Sequence, residues 1–276
     1  MDRHKVLGVY REKRFSPGRV EDDAAILDLT AAELRAFGIV VEMIDADRLP
    51  ARDHEVALVF AMCQGDAALA WLDGLAGRST VVNSPRAIRS CYRVRMVERF
   101  ASAAVPQPSW EPAAGAFPAH LGSGPWLKRG DVHAMETGDV RRVFTEADWS
   151  RAMSDFSRRE IRQGIVQSHV EGQVYKFYGI GGGFFRAFGL PREREEAAAA
   201  LAAVGASALG LEVYGGDGVC GPDGSLTLID FNDWPSFSRC RDDAARAIAG
   251  RLREILERKN RNDIETNCRR APASGS

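Results

Sequence analysis

Apolar and polar positions in the first 85 residues alternate between two periods. Residues 5–10 (KVLGVY), 39–45 (IVVEMID), 55–62 (EVALVFAM) and 80–83 (TVVN) are short apolar runs of strand length. Residues 21–37 carry apolar side chains at helical spacing behind an acidic first turn, and a second helical stretch begins at Asp66. Strands alternating with helices predict a parallel sheet, so residues 1–85 read as a small open α/β unit. The pattern changes at Ser84-Pro85. Residues 85–104 read as one long helix, 126–130 as a short strand, 130–138 as a loop, 146–159 as a helix and 164–170 as a strand. VYKFYGI and GFFRAFGL make a hairpin about Gly181–Gly183, followed by helices over 192–209 and 242–258. The last stretch, 263–276, is polar and rich in small residues and predicts a disordered tail.

Residues 211–238 (LEVYGGDGVCGPDGSLTLIDFNDWPSFS) hold the most pointed pattern. Pro222-Asp223-Gly224 separates two alternating runs and predicts a β-hairpin. Centring the turn near Asp223 sets Asp217 roughly opposite Asp230, and Asn232, two residues on, shares the face of Asp230. Two carboxylates side by side repel unless a cation lies between them, and an all-oxygen set suits a hard ion such as Mg²⁺.

Composition narrows the picture without deciding it. The chain has 276 residues, 45% hydrophobic and 27% charged, with a formal charge of −1, which argues against bulk binding to nucleic acid or anionic membrane. No run approaches the ~18 apolar residues of a membrane span, and no export signal opens the chain, so a cytoplasmic protein is expected. Five scattered cysteines (Cys63, Cys91, Cys220, Cys240, Cys268) show no metal-ligand spacing and read as thiols in a reducing compartment.

Other residues point to phosphate chemistry. Lys128 ends a strand just before the loop containing Gly130 and Gly138, where a cation neutralises phosphates and a loop folds over them. Lys176 is a single charge in the apolar strand VYKFYG, which reads either as the partner of a bound anion or as an edge-strand gatekeeper. Arg93 reaches toward the same cleft from the start of its helix. Gly181–Gly183 lacks the surroundings of a phosphate loop and reads as a tight turn. The loop REKRFSPGR after the first strand brings Arg11, Lys13, Arg14 and Arg19 to the carboxyl edge of the sheet, where an anionic acceptor is expected; Arg239 and Arg241 are further candidates.

Taken in order, NSPRAIRSCYRVRM (83–96), PWLK ending at Lys128, VQSHVEG (166–172), YKF about Lys176, Asp217 and IDFNDWP (229–235) resemble the ATP-grasp superfamily from about residue 5 to 258. The resemblance implies an N-terminal α/β domain over 1–85, a lid subdomain over 86–170 and a C-terminal subdomain over 171–262, clamping ATP between the last two. It implies Arg93, Lys128 and Lys176 at the phosphates, the linker Gln167, Ser168 and Val170 at adenine, and Glu171 near the ribose. Asp217, Asp230 and Asn232 would bind Mg²⁺, as one or two ions with Mn²⁺ as a substitute, and Lys128, Lys176 and Asp230 would serve catalysis. Asp230 replaces a Glu common in the ligases, and His169 stands where the linker usually has a larger apolar residue.

Two subgroups compete. N-S-P-x-A-I resembles RimK-type carboxylate–amine ligases. V-Q-x-x-V, Y-K-F, I-D-x-N-x-x-P and His133 resemble inositol 1,3,4-trisphosphate 5/6-kinases. The leading expectation is a ligase that joins a carboxylate to an amine or thiol through an acyl phosphate. The alternatives are a kinase acting on a phosphorylated polyol and a nucleotide-binding module without turnover.

Overall fold

In a computed structural model of the chain, residues 5–49, 56–75, 77–132 and 135–270 are described. Four parallel strands, β1 (Lys5–Tyr10), β2 (Val40–Asp45), β3 (Leu58–Ala61) and β4 (Thr80–Val82), form a sheet in the order β2-β1-β3-β4. Helix α1 (Val20–Ala36) opens with Glu21, Asp22 and Asp23, where its dipole favours negative charge. Helix α2 (Asp66–Asp73) covers one face of this sheet, packing Leu69 and Leu72 among Leu7, Val9 and Val59.

The other face is covered by α1 together with the last helix of the chain, α7 (Arg241–Arg270); Ala245, Ile248 and Leu252 join Val6, Leu58 and Phe60 in one buried cluster. Residues 263–270 are therefore helical, not the disordered segment their composition predicts, while 271–276 lie outside the described residues. Extending a helix that packing has already nucleated adds one hydrogen bond per residue at little cost, which outweighs weak local preference.

Residues 85–104 are two helices, not one. In α3 (Pro85–Ser90), Ser84 caps Ala87 N–H and Pro85 takes the first helical position. Before α4 (Arg93–Ser102), Tyr92 turns extended, and its hydroxyl donates to the Gln64 carbonyl at 3.0 Å. A tertiary bond thus overrides a continuous helical pattern.

A second sheet is antiparallel, ordered β5-β8-β6-β7, from β5 (Trp110–Pro112), β6 (Trp126–Arg129), β7 (Val140–Arg142) and β8 (Gly164–Gln167). Helix α5 (Glu146–Arg158) backs it through Trp149, Ala152 and Phe156. The third sheet, ordered β10-β9-β11-β12, comprises β9 (Gln173–Ile180), β10 (Phe184–Phe188), β11 (Val213–Cys220) and β12 (Leu226–Asp233). Helix α6 (Glu195–Leu209) packs Ala202 and Ala206 against its Phe177 and Phe231.

The parallel sheet docks on the third sheet through two buried side chains. Asn83 donates to the Val213 carbonyl at 2.7 Å and accepts from Glu212 and Val213 N–H at 2.7 and 3.1 Å. Trp234, wholly buried, donates to the Val82 carbonyl at 3.1 Å. Among the described residues no helix is long and apolar enough to cross a membrane.

Candidate functional site

The β11–β12 register sets Asp217 directly opposite Asp230, with an irregularity immediately after Asp217. On the other side of β11, Lys176 of β9 is in register with Asp217. Lys176, Asp217 and Asp230 therefore form a row across three strands. Because β9 lies between β10 and β11, Lys176 is not an edge-strand gatekeeper. Lys176 Nζ lies 2.8 Å from Asp217 Oδ1, and Arg93 Nη2 donates to Asp230 Oδ1 at 2.9 Å. The repulsion between neighbouring carboxylates is thus offset by one cation on each.

Glycines make room for this row. A Cβ on Gly216 would collide with the Asp230 carbonyl oxygen, and one on Gly218 with the Tyr175 ring. Asn232, two residues beyond Asp230, extends the same face. No group of three or more His, Cys, Asp or Glu among the described residues could hold a metal. Two carboxylates and an amide oxygen on one sheet face are the ligand chemistry a hard divalent ion takes when it borrows further oxygens from phosphate and water, although Asp217 and Asp230 line one cavity and Asn232 another.

Arg93 is the first residue of α4 and only 4% exposed. Its Nε and Nη1 are buried without a partner among the described residues. Lys128, on β6, is 7% exposed and donates to the Ile229 carbonyl at 3.0 Å. Burial, reinforced by the Arg93 charge and opposed by Asp230 and Asp217, pushes Lys128 down to about 7.

These groups line a cavity of about 210 Å³ together with Val140, Val174, Val219 and Ile229. Val174 and Val219 are in register, two residues from Lys176 and Asp217, on the side where the linker enters β9. The cavity therefore has an apolar end beside the linker and a charged end at the ion row. Unpartnered guanidinium N–H groups beside an apolar slot fit a nucleotide, with base in the slot and phosphates at the cations.

Of the linker residues, Ser168, His169 and Val170 line this cavity. The Gln167 side chain is buried in the second sheet, its backbone paired between Trp110 and Trp126, and does not line the cavity. Trp126 Nε1 donates to His169 Nδ1 at 3.1 Å, and His169 Nε2 lies 3.1 Å from Glu171 Oε1.

A second cavity of about 560 Å³ meets the other side of the ion row at Lys176 and Asn232, and Asp233, Arg11, Arg19, Arg239 and residues 135–137 also line it. The six basic residues expected at an acceptor separate here. Arg11 lines the cavity, yet its guanidinium is held by Asp23, the Met62 carbonyl and the Trp234 carbonyl. Arg19 and Arg239 line it with no ion pair among the described residues, Arg239 resting 5.3 Å above the Phe188 ring.

Lys13, Arg14 and Arg241 do not line the cavity. Lys13 is exposed, Arg14 packs on the Phe15 ring at 4.6 Å, and Arg241 is drawn to Asp22 and the Ser236 carbonyl. His133 lies outside the described residues.

Several residues here were not singled out from the sequence. Glu12, inside the basic loop, accepts from Gln64 and Gly65 N–H at 3.0 and 2.9 Å, tying that loop to the start of α2. Asp139 is wholly buried and accepts from Met135 N–H at 2.7 Å, Glu136 N–H at 3.1 Å and Arg159. Burial alone would raise Asp139, but those donors outweigh it and hold the carboxyl below its usual range. The Glu136-x-x-Asp139 spacing of a capping box is the signal that marks it.

No protein-family model and no curated protein sequence matches the chain. Among solved structures, D-alanyl-alanine synthetase A from Vibrio cholerae superposes with a TM-score of 0.71 at 11% identity, covering 94% of this chain and 98% of its own. A RimK domain ATP-grasp protein from Sphaerobacter thermophilus gives 0.67 at 17% identity over 89% and 98%. D-cycloserine synthetase gives 0.66 at 17% identity over 90% and 99%. At these identities the likeness is one of fold.

Proposed function

We propose that this chain, which has the ATP-grasp fold, is an ATP-dependent ligase joining a small carboxylate to an amine or thiol. The observation that carries this reading is Arg93, whose buried Nε and Nη1 lack partners in a cavity shared with Lys128. Buried charged donors are costly until an anion takes them. In this reading the base lies against Val174 and Val219 with Ser168–Val170 alongside, and Arg93, Lys128 and Lys176 take the phosphates.

Asp217, Asp230 and Asn232 would hold one or two Mg²⁺, with Mn²⁺ as a substitute. The metal, when bound, neutralises charge on the transferring phosphoryl group. Lys128, Lys176 and Asp230 then act on the reacting atoms by placing charge and excluding water.

The second cavity supplies the acceptor, with Arg19 and Arg239 available to an anionic group. A carboxylate oxygen attacks the γ-phosphorus, ADP leaves, and an amine displaces phosphate from the acyl phosphate. The ligase reading draws support from neighbours whose names describe synthetases and a D-alanine–D-alanine ligase. Because ATP is the energy source, the cytoplasm is the compartment that suits it.

Mg²⁺-dependent ADP release from purified protein tests the proposal against amino acids, short peptides and inositol phosphates. ADP that needs both a carboxylate and an amine supports a ligase. ADP with an inositol phosphate alone replaces it with a polyol kinase. ATP binding without ADP under any mixture leaves a nucleotide-binding module.

A further inference from the structure

The second cavity does not end at its cationic rim. Ser238 and Arg239 line it and also line a third cavity, of about 760 Å³, at the junction of α1 and α7. The two volumes therefore adjoin at this pair. The third is a trough with fixed walls. α1 and α7 pack along each other through Ile26, Leu27, Ala245 and Ile248, and Arg241 of α7 meets Asp22 of α1 at 2.6 Å.

The trough follows α1 from Asp23, in the second cavity, to Leu29, in the third. At 1.5 Å per residue that is about 9 Å. An extended chain advances about 3.3–3.6 Å per residue, so this length holds roughly two to three residues beyond the second cavity.

Its walls carry both signs of charge. Arg246 pairs with Asp243 at 2.5 Å, and Asp28 takes the Tyr10 hydroxyl. Arg239 and Asp242 line the trough with no ion pair among the described residues. The carboxylates of Asp28, Asp242 and Asp243 repel a polyanion, and an apolar chain gains nothing from charged walls. A chain that presents oxygens to Arg239 and a cation to Asp242 gains from both. A short peptide has this order: a carboxylate at one end, carbonyls between, and an ammonium at the other.

We propose that the acceptor is a peptide of three or four residues. Its C-terminal carboxylate lies at Lys176 and Asn232, its carbonyls at Arg239, and its N-terminal ammonium at Asp242 in the trough between α1 and α7. This rests on the ligase reading of the second cavity. The trough selects acceptor length and takes no part in phosphoryl transfer.

The test follows Mg²⁺-dependent ADP release with hydroxylamine as the amine, using alanine and its di-, tri- and tetrapeptides in L and D series. Acceptor KM should fall about tenfold from alanine to the tripeptide, the sum of one exposed ion pair and one carbonyl hydrogen bond, and then level off. N-acetylation of the tripeptide should raise KM about fivefold in wild-type protein, the upper end for an exposed ion pair, and make no difference in Asp242→Asn. Titration calorimetry of the same peptides onto protein holding a non-hydrolysable ATP analogue reads binding without turnover.

A KM that does not change with length, or equal sensitivity to acetylation in wild type and Asp242→Asn, overturns the trough and leaves the ligase standing. Tripeptide that binds more tightly than alanine, without ADP release, keeps the trough and sinks the ligase reading. Alanine and tripeptide bound equally, or neither bound, overturns the trough whatever the turnover.

Discussion

Lys128 and Asp230 show how strongly single side chains in this site depend on their neighbours. An ammonium that falls from 10.5 to about 7 on folding leaves the unfolded chain holding more protons between those values. Stability should therefore rise as pH climbs from about 7 toward 10.5, and Lys128→Met should flatten that slope in urea unfolding. A polyphosphate reverses the shift by favouring the ammonium. ATP binding above pH 7 should accordingly take up a proton, visible in calorimetry as an enthalpy that varies with the buffer's ionisation heat. Buffer-independent enthalpy at pH 8 would remove Lys128 from the phosphates.

Asp230→Asn should lower turnover by about 10²–10³-fold and weaken Mg-ATP binding, since it removes one carboxylate from the trio and the partner of Arg93. Full activity in that variant would exclude Asp230. At this scale the sequence was informative where chemistry is local. Pro222-Asp223-Gly224 centres the hairpin, and counting outward from Asp223 comes within one residue of the observed pair: it reaches Ile229, and the irregularity after Asp217 moves the register on to Asp230. The cations that meet those carboxylates come from residues 93 and 176, and no spacing rule connects them.

Among the elements, β11 is the most constrained. Its run VYGGDGVC puts glycine on both sides of Asp217 so that Phe177, Tyr175 and the β12 backbone can close on it. Gly218→Ala must displace the Tyr175 ring, a buried side chain, and should cost about 1–3 kcal/mol as overpacking does. Thermal denaturation measures this, and an unchanged midpoint would show that the ring can move aside freely.

Elements with clear periodicity, such as α1, α6 and the hairpin strands, were legible in the sequence. Strands β5 and β7 were not, because WEP and VRR are three residues long and carry no alternation. The break at Tyr92 was hidden for a different reason. Its cause, the bond to Gln64, lies 28 residues away in sequence.

For the whole molecule, the joint between the parallel sheet and the third sheet rests on a few buried polar contacts. Asn83→Ala would take the acceptor from the Glu212 and Val213 N–H groups, while the Val213 carbonyl keeps the Trp234 N–H, and should cost about 2–3 kcal/mol in urea unfolding, given the penalty for each buried unsatisfied group. Around the second cavity, Arg19→Ala and Arg239→Ala should each raise acceptor KM several-fold while ATP KM stays constant. Arg11→Ala should instead lower stability, because its guanidinium ties β1 to Met62 and Trp234. Equal effects of all three on acceptor KM would undo that separation. From the sequence the six basic residues looked alike, since the charge pairs that distinguish them form only on folding.

Helix α7 also has a bearing on biosynthesis. The strands of the parallel sheet leave the ribosome first, yet the residues that complete the cover of one of their faces, from Ala244 onward, are translated about 160 positions later, or about 8–30 s at roughly 5–20 residues per second. During that interval α1 alone shields this face, and the part that α7 will cover is open to solvent or a chaperone. Nascent chains arrested before residue 244 should bind holdase chaperones and be cut readily by protease, whereas released full-length chains should resist both. The protein's first-made sheet waits for its last-made helix.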